Sequence, residues 1–173
     1  MSDTLRDRLR ALPSFVEPLP KFDPSTAPAD PLELFVDWLE EALATSVEAP
    51  HVFTLATSDS AGAVSARVLR LKNIEAGELH FAGSRNSRKG LDLADNPRAA
   101  MTFYWPTLSR QMRFAGPVRE LSPEASAADW AGRPSTSGLA DAAWQLWALR
   151  PVEALFFQSA SDGRDVQLSY PLS

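Results

Sequence analysis

Apolar positions along the chain change period at two places, and those changes divide it. Leu32, Phe35, Val36, Leu39 and Leu43 recur at helical spacing, with Asp37, Glu40 and Glu41 turned away from them. Asp30 suits the cap of that helix, Pro31 suits its first turn, and Glu33 follows three residues after the cap. Phe35 and Trp38 read as core anchors rather than ligand contacts. From residue 51 the period shortens to that of strands, and turn residues interrupt it. The pattern predicts strands over 51–57, 64–72, 79–82, 98–105, 110–121 and 152–158. It predicts short helices over 5–12, 91–95 and 123–130, the second ended by Asn96-Pro97. The expected fold class is mainly β with flanking helices (α+β), an antiparallel sheet closed into a small barrel. Pro13, Pro18, Pro20, Pro24 and Pro28 mark residues 1–29 as an extended N-terminal arm, ahead of a single domain over 30–173.

Composition narrows the chemistry. The 173 residues contain no cysteine, which excludes disulfides, thiolate metal sites and cysteine nucleophiles. No apolar run reaches the roughly 18 residues of a spanning helix, so no membrane role and a cytoplasmic location are expected. His51 and His80 stand apart, so neither a metal site nor a Ser–His–Asp triad is indicated. Gly-rich phosphate loops are absent, and an organic cofactor would have to carry any redox chemistry.

The net charge of −5 is unevenly spread. Residues 1–50 hold four basic and ten acidic side chains, 51–121 hold ten and six, and 122–173 hold three and six. A cationic centre between acidic flanks suits one compact anion better than nucleic acid, which is not expected as a partner.

Two stretches concentrate that charge. Ser84-Arg85-Asn86-Ser87-Arg88-Lys89-Gly90 opens the helix before Asn96, with Ser87 or Ser84 as its cap. Arg88 and Lys89 then oppose the helix dipole, an unfavourable placement of roughly 0.3–1 kcal/mol each that a bound anion reverses. The stretch reads either as a phosphate cradle or as a solvated turn. In Arg67-Val68-Leu69-Arg70-Leu71-Lys72, alternation puts Arg67, Leu69 and Leu71 on one face and Val68, Arg70 and Lys72 on the other. Arg67, if buried, needs an anionic partner, and a phosphate or an internal carboxylate would serve equally.

These residues, together with Asp30-Pro31-Leu32, Asn96-Pro97-Arg98, Phe103-Tyr104-Trp105, Arg110-Gln111 and Arg133-Pro134 with Ser137, resemble the pyridoxamine 5′-phosphate oxidase family. The resemblance implies an FMN-binding antiparallel split β-barrel and a homodimer with FMN at the subunit interface. It implies that Arg67, Arg88 and Lys89 hold the FMN phosphate, that Ser87 belongs to the same cofactor site, and that Val68, Leu69, Arg70 and Lys72 run along the cofactor. Ala82, Gly83, Gln111 and Phe157 match further flavin positions. Lys72, Arg133 and Ser137 match positions that grip the substrate's phosphate. The family reaction passes a hydride equivalent from a pyridoxine or pyridoxamine carbon to the flavin, which O₂ reoxidises.

The chain also departs from the family pattern. Ala82-Gly83 replaces Tyr-Thr, Phe157 replaces a tryptophan, and Arg164-Asp165-Val166 lacks the histidine of the closing Arg-x-His. Asp129 stands at a tyrosine position, where a carboxylate would repel phosphate. The expectation is therefore an FMN-dependent oxidoreductase acting on an unassigned small molecule. Genuine pyridoxine/pyridoxamine 5′-phosphate oxidase is the alternative, and a non-enzymatic flavin or haem binder a further one. No residue is assigned as catalytic and no metal is expected.

Overall fold

The computed structural model describes residues 4–13, 17–133 and 143–172. Helix α1 (Leu5–Arg10) begins with a capping box in which Thr4 and Asp7 satisfy each other's backbone. A single 3₁₀ turn at Pro24–Thr26 precedes α2 (Pro31–Ala44), which the Asp30 carboxylate caps by accepting from the Leu32 N–H at 2.8 Å. Strands β1 (Val52–Ser58), β2 (Val64–Arg70), β3 (Asn73–Glu75) and β4 (Glu78–Ser84) follow. After them come α3 (Arg88–Asp95), β5 (Arg98–Trp105), β6 (Arg110–Glu120), α4 (Pro123–Ala131), β7 (Trp144–Leu149), β8 (Glu153–Gln158) and β9 (Val166–Pro171). No helix among the described residues is long and apolar enough to cross a membrane.

All strand pairs are antiparallel, and they form a curled, split barrel whose hinge is β6. Its residues Arg110–Ala115 pair with β8, while Val118–Glu120 pair with β7. A Cβ on Gly116 would collide with the carbonyl oxygen of Arg150, so glycine permits the close approach where the neighbouring chain passes from β7 to β8. One half carries β2-β1-β5-β6-β8-β9, and the other carries β6-β7-β4-β3. The chain crosses between halves at Leu71-Lys72: the Leu71 N–H donates to His51 O (2.8 Å) and the Lys72 N–H to His80 O (2.9 Å). Lys72 is therefore held at a junction of the two halves.

An aromatic cluster fills the interior. Phe35 packs 4.7 Å from Phe103 and 5.2 Å from Phe114, and Trp38 meets Phe156 at 5.2 Å. Burying a side chain of this size stabilises by roughly 1.5–3 kcal/mol, which makes α2 integral to the core. Residues 17–28 lie on the same chain: Phe22 meets Trp38 edge-on, and the Tyr170 hydroxyl donates to Pro28 O.

Several local expectations change. Within α2, Val36 and Leu43 are exposed, while Leu34 and Ala42 are buried in their place. Glu41 does not simply face away, because it accepts from the buried Arg110 at 2.7 Å. The predicted strand over 64–72 ends at Arg70. The apolar pattern does not predict β3, β7 or β9. In β7 every residue after Trp144 is buried, so no alternation survives to mark it.

Candidate functional site

The corner from β4 into α3 is built by two glycines. A Cβ on Gly90 would collide with the Arg85 carbonyl, and a Cβ on Gly83 would occupy the place of the Lys89 ammonium. The first lets α3 start close beneath the turn, and the second lets Lys89 lie along β4. Ser87 occupies the cap position but makes no side-chain capping bond. Its hydroxyl donates to Ser84 O (2.6 Å) and accepts from Lys89 Nζ (2.9 Å). The first N–H groups of α3 thus receive no oxygen from their cap residue, which suits the helix start to an anion.

Beside this corner, Asp92 is 2% exposed and accepts the Thr57 and Ser65 hydroxyls, each at 2.7 Å, and Arg88 Nε at 2.7 Å. Arg67 reaches the same carboxylate at 3.9 Å, donates to Thr57 Oγ1 at 2.7 Å and also bonds Ser65 Oγ. The hydrogen bond from Thr57, then those from Ser65 and Arg88, hold the Asp92 carboxyl below the ordinary aspartate range despite its burial. Of the two partners open to Arg67, the internal carboxylate is therefore present. Arg88 also pairs with Asp59 at 3.0 Å.

Lys89 differs. It is 8% exposed and enters no ion pair among the described residues. Burial, and secondarily Arg67, push its ammonium below the usual lysine range. Three cations thus meet two carboxylates around an uncapped helix start. An anionic phosphate fits this set, because it would give Lys89 a counter-charge and accept from the free end of α3.

A second cluster lies at the junction between the barrel halves. Val68, Leu69, Arg70, Lys72, Ala82 and Arg133 line one cavity of about 410 Å³ together with Val52 and Trp144. Asp129 does not itself line this cavity. It pairs with Lys72 at 3.2 Å and accepts from Trp144 Nε1 at 2.9 Å. The Arg133 guanidinium lies 4.6 Å from the Trp130 ring centroid and 4.2 Å from that of Trp144, and the two indoles meet each other edge-on at 5.2 Å. Ser137 lies outside the described residues.

Gln111 and Phe157 do not line this cavity. They face each other across β6 and β8, and Tyr104 flanks Gln111 on β5. The strands β1 and β5 stand between them and β2, so one chain does not bring them to Arg67. Sequence reasoning missed Thr57, Ser65, Asp92, Trp130 and Trp144. Ser65 sits two positions before Arg67, so strand alternation could have placed it on the same face.

The sequence profile of the family described as pyridoxamine 5′-phosphate oxidase matches residues 39–161. The chain belongs to this family. A family relative, the pyridoxine/pyridoxamine 5′-phosphate oxidase of Deinococcus deserti, is 44% identical over 112 residues. The alignment covers 65% of this chain and 52% of the relative, so the chain spans about half of that protein's length. Among solved structures, PhzG from Burkholderia lata 383 in complex with tetrahydrophenazine-1-carboxylic acid superposes with a TM-score of 0.83. Its identity is 23%, with 90% of this chain and 94% of that chain covered. A pyridoxamine 5′-phosphate oxidase-related, FMN binding protein from Nostoc punctiforme PCC 73102 gives 0.60 at 16% identity, covering 81% and 96% of the two chains. A heme binding protein from Mycobacterium smegmatis gives 0.54 at 21%, covering 76% and 57%. These likenesses establish the split-barrel fold shared across the family.

Proposed function

We propose that this protein is an FMN-dependent oxidoreductase acting as a homodimer on a small-molecule substrate. Lys89 carries the reading: a buried ammonium without a carboxylate partner among the described residues, beside Arg67, Arg88 and the start of α3. Arg67, Ser87, Arg88 and Lys89 would hold the FMN phosphate. Val68, Leu69, Arg70, Ala82 and Gly83 would flank the rest of the cofactor, and Lys72 and Arg133 would orient substrate at the cavity's other end. Gln111 and Phe157 would serve the site of the second subunit, since their own chain holds them strands away from Arg67. Bound FMN supplies a two-electron acceptor that an external oxidant regenerates. The family relatives' names and the FMN binding protein of the same fold support this reading.

The purified protein is expected to be yellow and to release FMN on denaturation. Arg88→Ala combined with Lys89→Ala should weaken FMN binding, since each hydrogen bond to a charged group contributes roughly 1.5–3 kcal/mol. Fluorescence titration with FMN measures this, and an unchanged affinity defeats the cradle. A second reading, oxidation of pyridoxine or pyridoxamine 5′-phosphate, is favoured by Lys72 and Arg133 sharing one cavity. Formation of pyridoxal phosphate under air by the flavin-loaded protein tests it.

A further inference from the structure

Resting on the assignment of this cavity to substrate, we propose that Arg70, rather than Lys72, supplies the charge that holds the substrate's acidic group, acting with Arg133 on a ligand that carries two negative charges. Three cations line the cavity: Arg70, Lys72 and Arg133. Lys72 is the one already compensated, because an Asp129 carboxylate oxygen lies 3.2 Å from its ammonium. The other oxygen of that carboxylate accepts from Trp144 Nε1 at 2.9 Å, which keeps Asp129 beside Lys72. An anion that reaches for Lys72 meets a charge already shared with a carboxylate, and the like charge behind it opposes binding. Lys72 retains further N–H donors for a neutral polar atom of the substrate.

The two arginines present the opposite situation. Neither enters an ion pair among the described residues. Arg70 ends β2 on the strand face it shares with Val68 and Lys72, and it stands opposite Val52, a further wall of the cavity. Arg133 comes from a second element, just after α4, with the indoles of Trp130 and Trp144 against its guanidinium. Two guanidiniums without a counter-charge thus border one space of about 410 Å³. A dianion offsets both charges and accepts from both sets of N–H groups, whereas a monoanion leaves one of them uncompensated. A phosphate monoester and a dicarboxylate both meet that description.

Calorimetric titration with benzoate, isophthalate and phenyl phosphate tests this at about pH 8, where the last two carry two negative charges on the same ring. The protein is titrated as purified, and its visible absorbance is recorded in the same sample. Wild type should bind at least one dianion about tenfold more tightly than benzoate, and the one it prefers separates a phosphate from a dicarboxylate substrate. Arg70 is exposed, so Arg70→Gln leaves the core intact. It should weaken the preferred dianion by about tenfold, and Arg70→Lys should weaken it by less. The double variant Lys72→Gln with Asp129→Asn removes both charges of the pair at once and should weaken it by less than about threefold. A larger loss in the double variant than in Arg70→Gln, a wild type that prefers benzoate, or one that binds none of the three overturns the proposal. Yellow protein in which Arg70→Gln releases FMN and leaves dianion affinity unchanged also overturns it, by assigning Arg70 to the cofactor. Colourless protein that takes up no FMN yet shows the expected pattern overturns the flavin reading alone.

Discussion

Asp92 shows how one side chain organises a charged corner. Its two oxygens serve two hydroxyls and an arginine, so its removal leaves Arg67 and Arg88 short of a counter-charge. Asp92→Asn should cost about 3 kcal/mol, the low end for breaking a buried pair, because both guanidiniums keep contact with water. Urea unfolding at neutral pH measures it. The folded carboxyl titrates below its unfolded value, so its contribution is complete above about pH 4 and is lost as the pH falls through the depressed folded value. Lys89 has the opposite sign. Its ammonium is penalised in the flavin-free fold, and the penalty lifts as the pH rises through its depressed value toward about 10.4. Lys89→Met should therefore stabilise flavin-free protein at pH 7 by more than at pH 10, while weakening FMN retention. Paired urea titrations at the two pH values check this, and a pH-independent difference counts against a buried charged Lys89.

At the scale of elements, the turn from β4 into α3 sets the geometry of the cradle. Alanine is a better helix former than glycine by roughly 0.5–1 kcal/mol, which alone would favour Gly90→Ala. The added Cβ meets backbone at Arg85 rather than a movable side chain, so overpacking of about 1–3 kcal/mol should win. The variant should unfold at lower urea and retain less FMN; a gain in stability would mean that the turn can move. This corner was partly legible in advance. Arg88 and Lys89 in a first helical turn read either as an anion cradle or as a solvated turn, and the carboxylates of Asp92 and Asp59 that pair with Arg88 did not show. The helix from Pro31 was legible through its cap and periodicity, whereas β7 was not, because a strand buried on both faces has no alternating signature.

For the whole molecule, the barrel leaves one face of β5, β6 and β8 uncovered, with Tyr104 57% exposed beside Gln111. If a second copy covers this face, sedimentation should give twice the 18.9 kDa chain mass, and Tyr104→Arg should yield monomers that no longer retain FMN. Monomers that hold FMN as tightly as the wild type would remove the second subunit from the site. The family match over residues 39–161 and the 0.83 superposition agree that the frame is shared. The Lys72–Asp129 pair and the contacts of Arg133 with Trp130 and Trp144 lie at the junction of its two halves.

Local order along the chain determined most of the strands, the α2 helix, the cationic middle and the candidate anion residues, because caps, turns and alternation are short-range properties. Tertiary structure decided the partners. It brought Asp92 to Arg67 across twenty-five positions, Asp129 to Lys72 across fifty-seven, and Trp144 against Arg133. It also held Gln111 and Phe157 away from the rest of the expected flavin residues. A charge declares itself in the sequence, but the counter-charge that tunes it arrives through strand pairing and helix packing. No spacing rule encodes those long-range contacts.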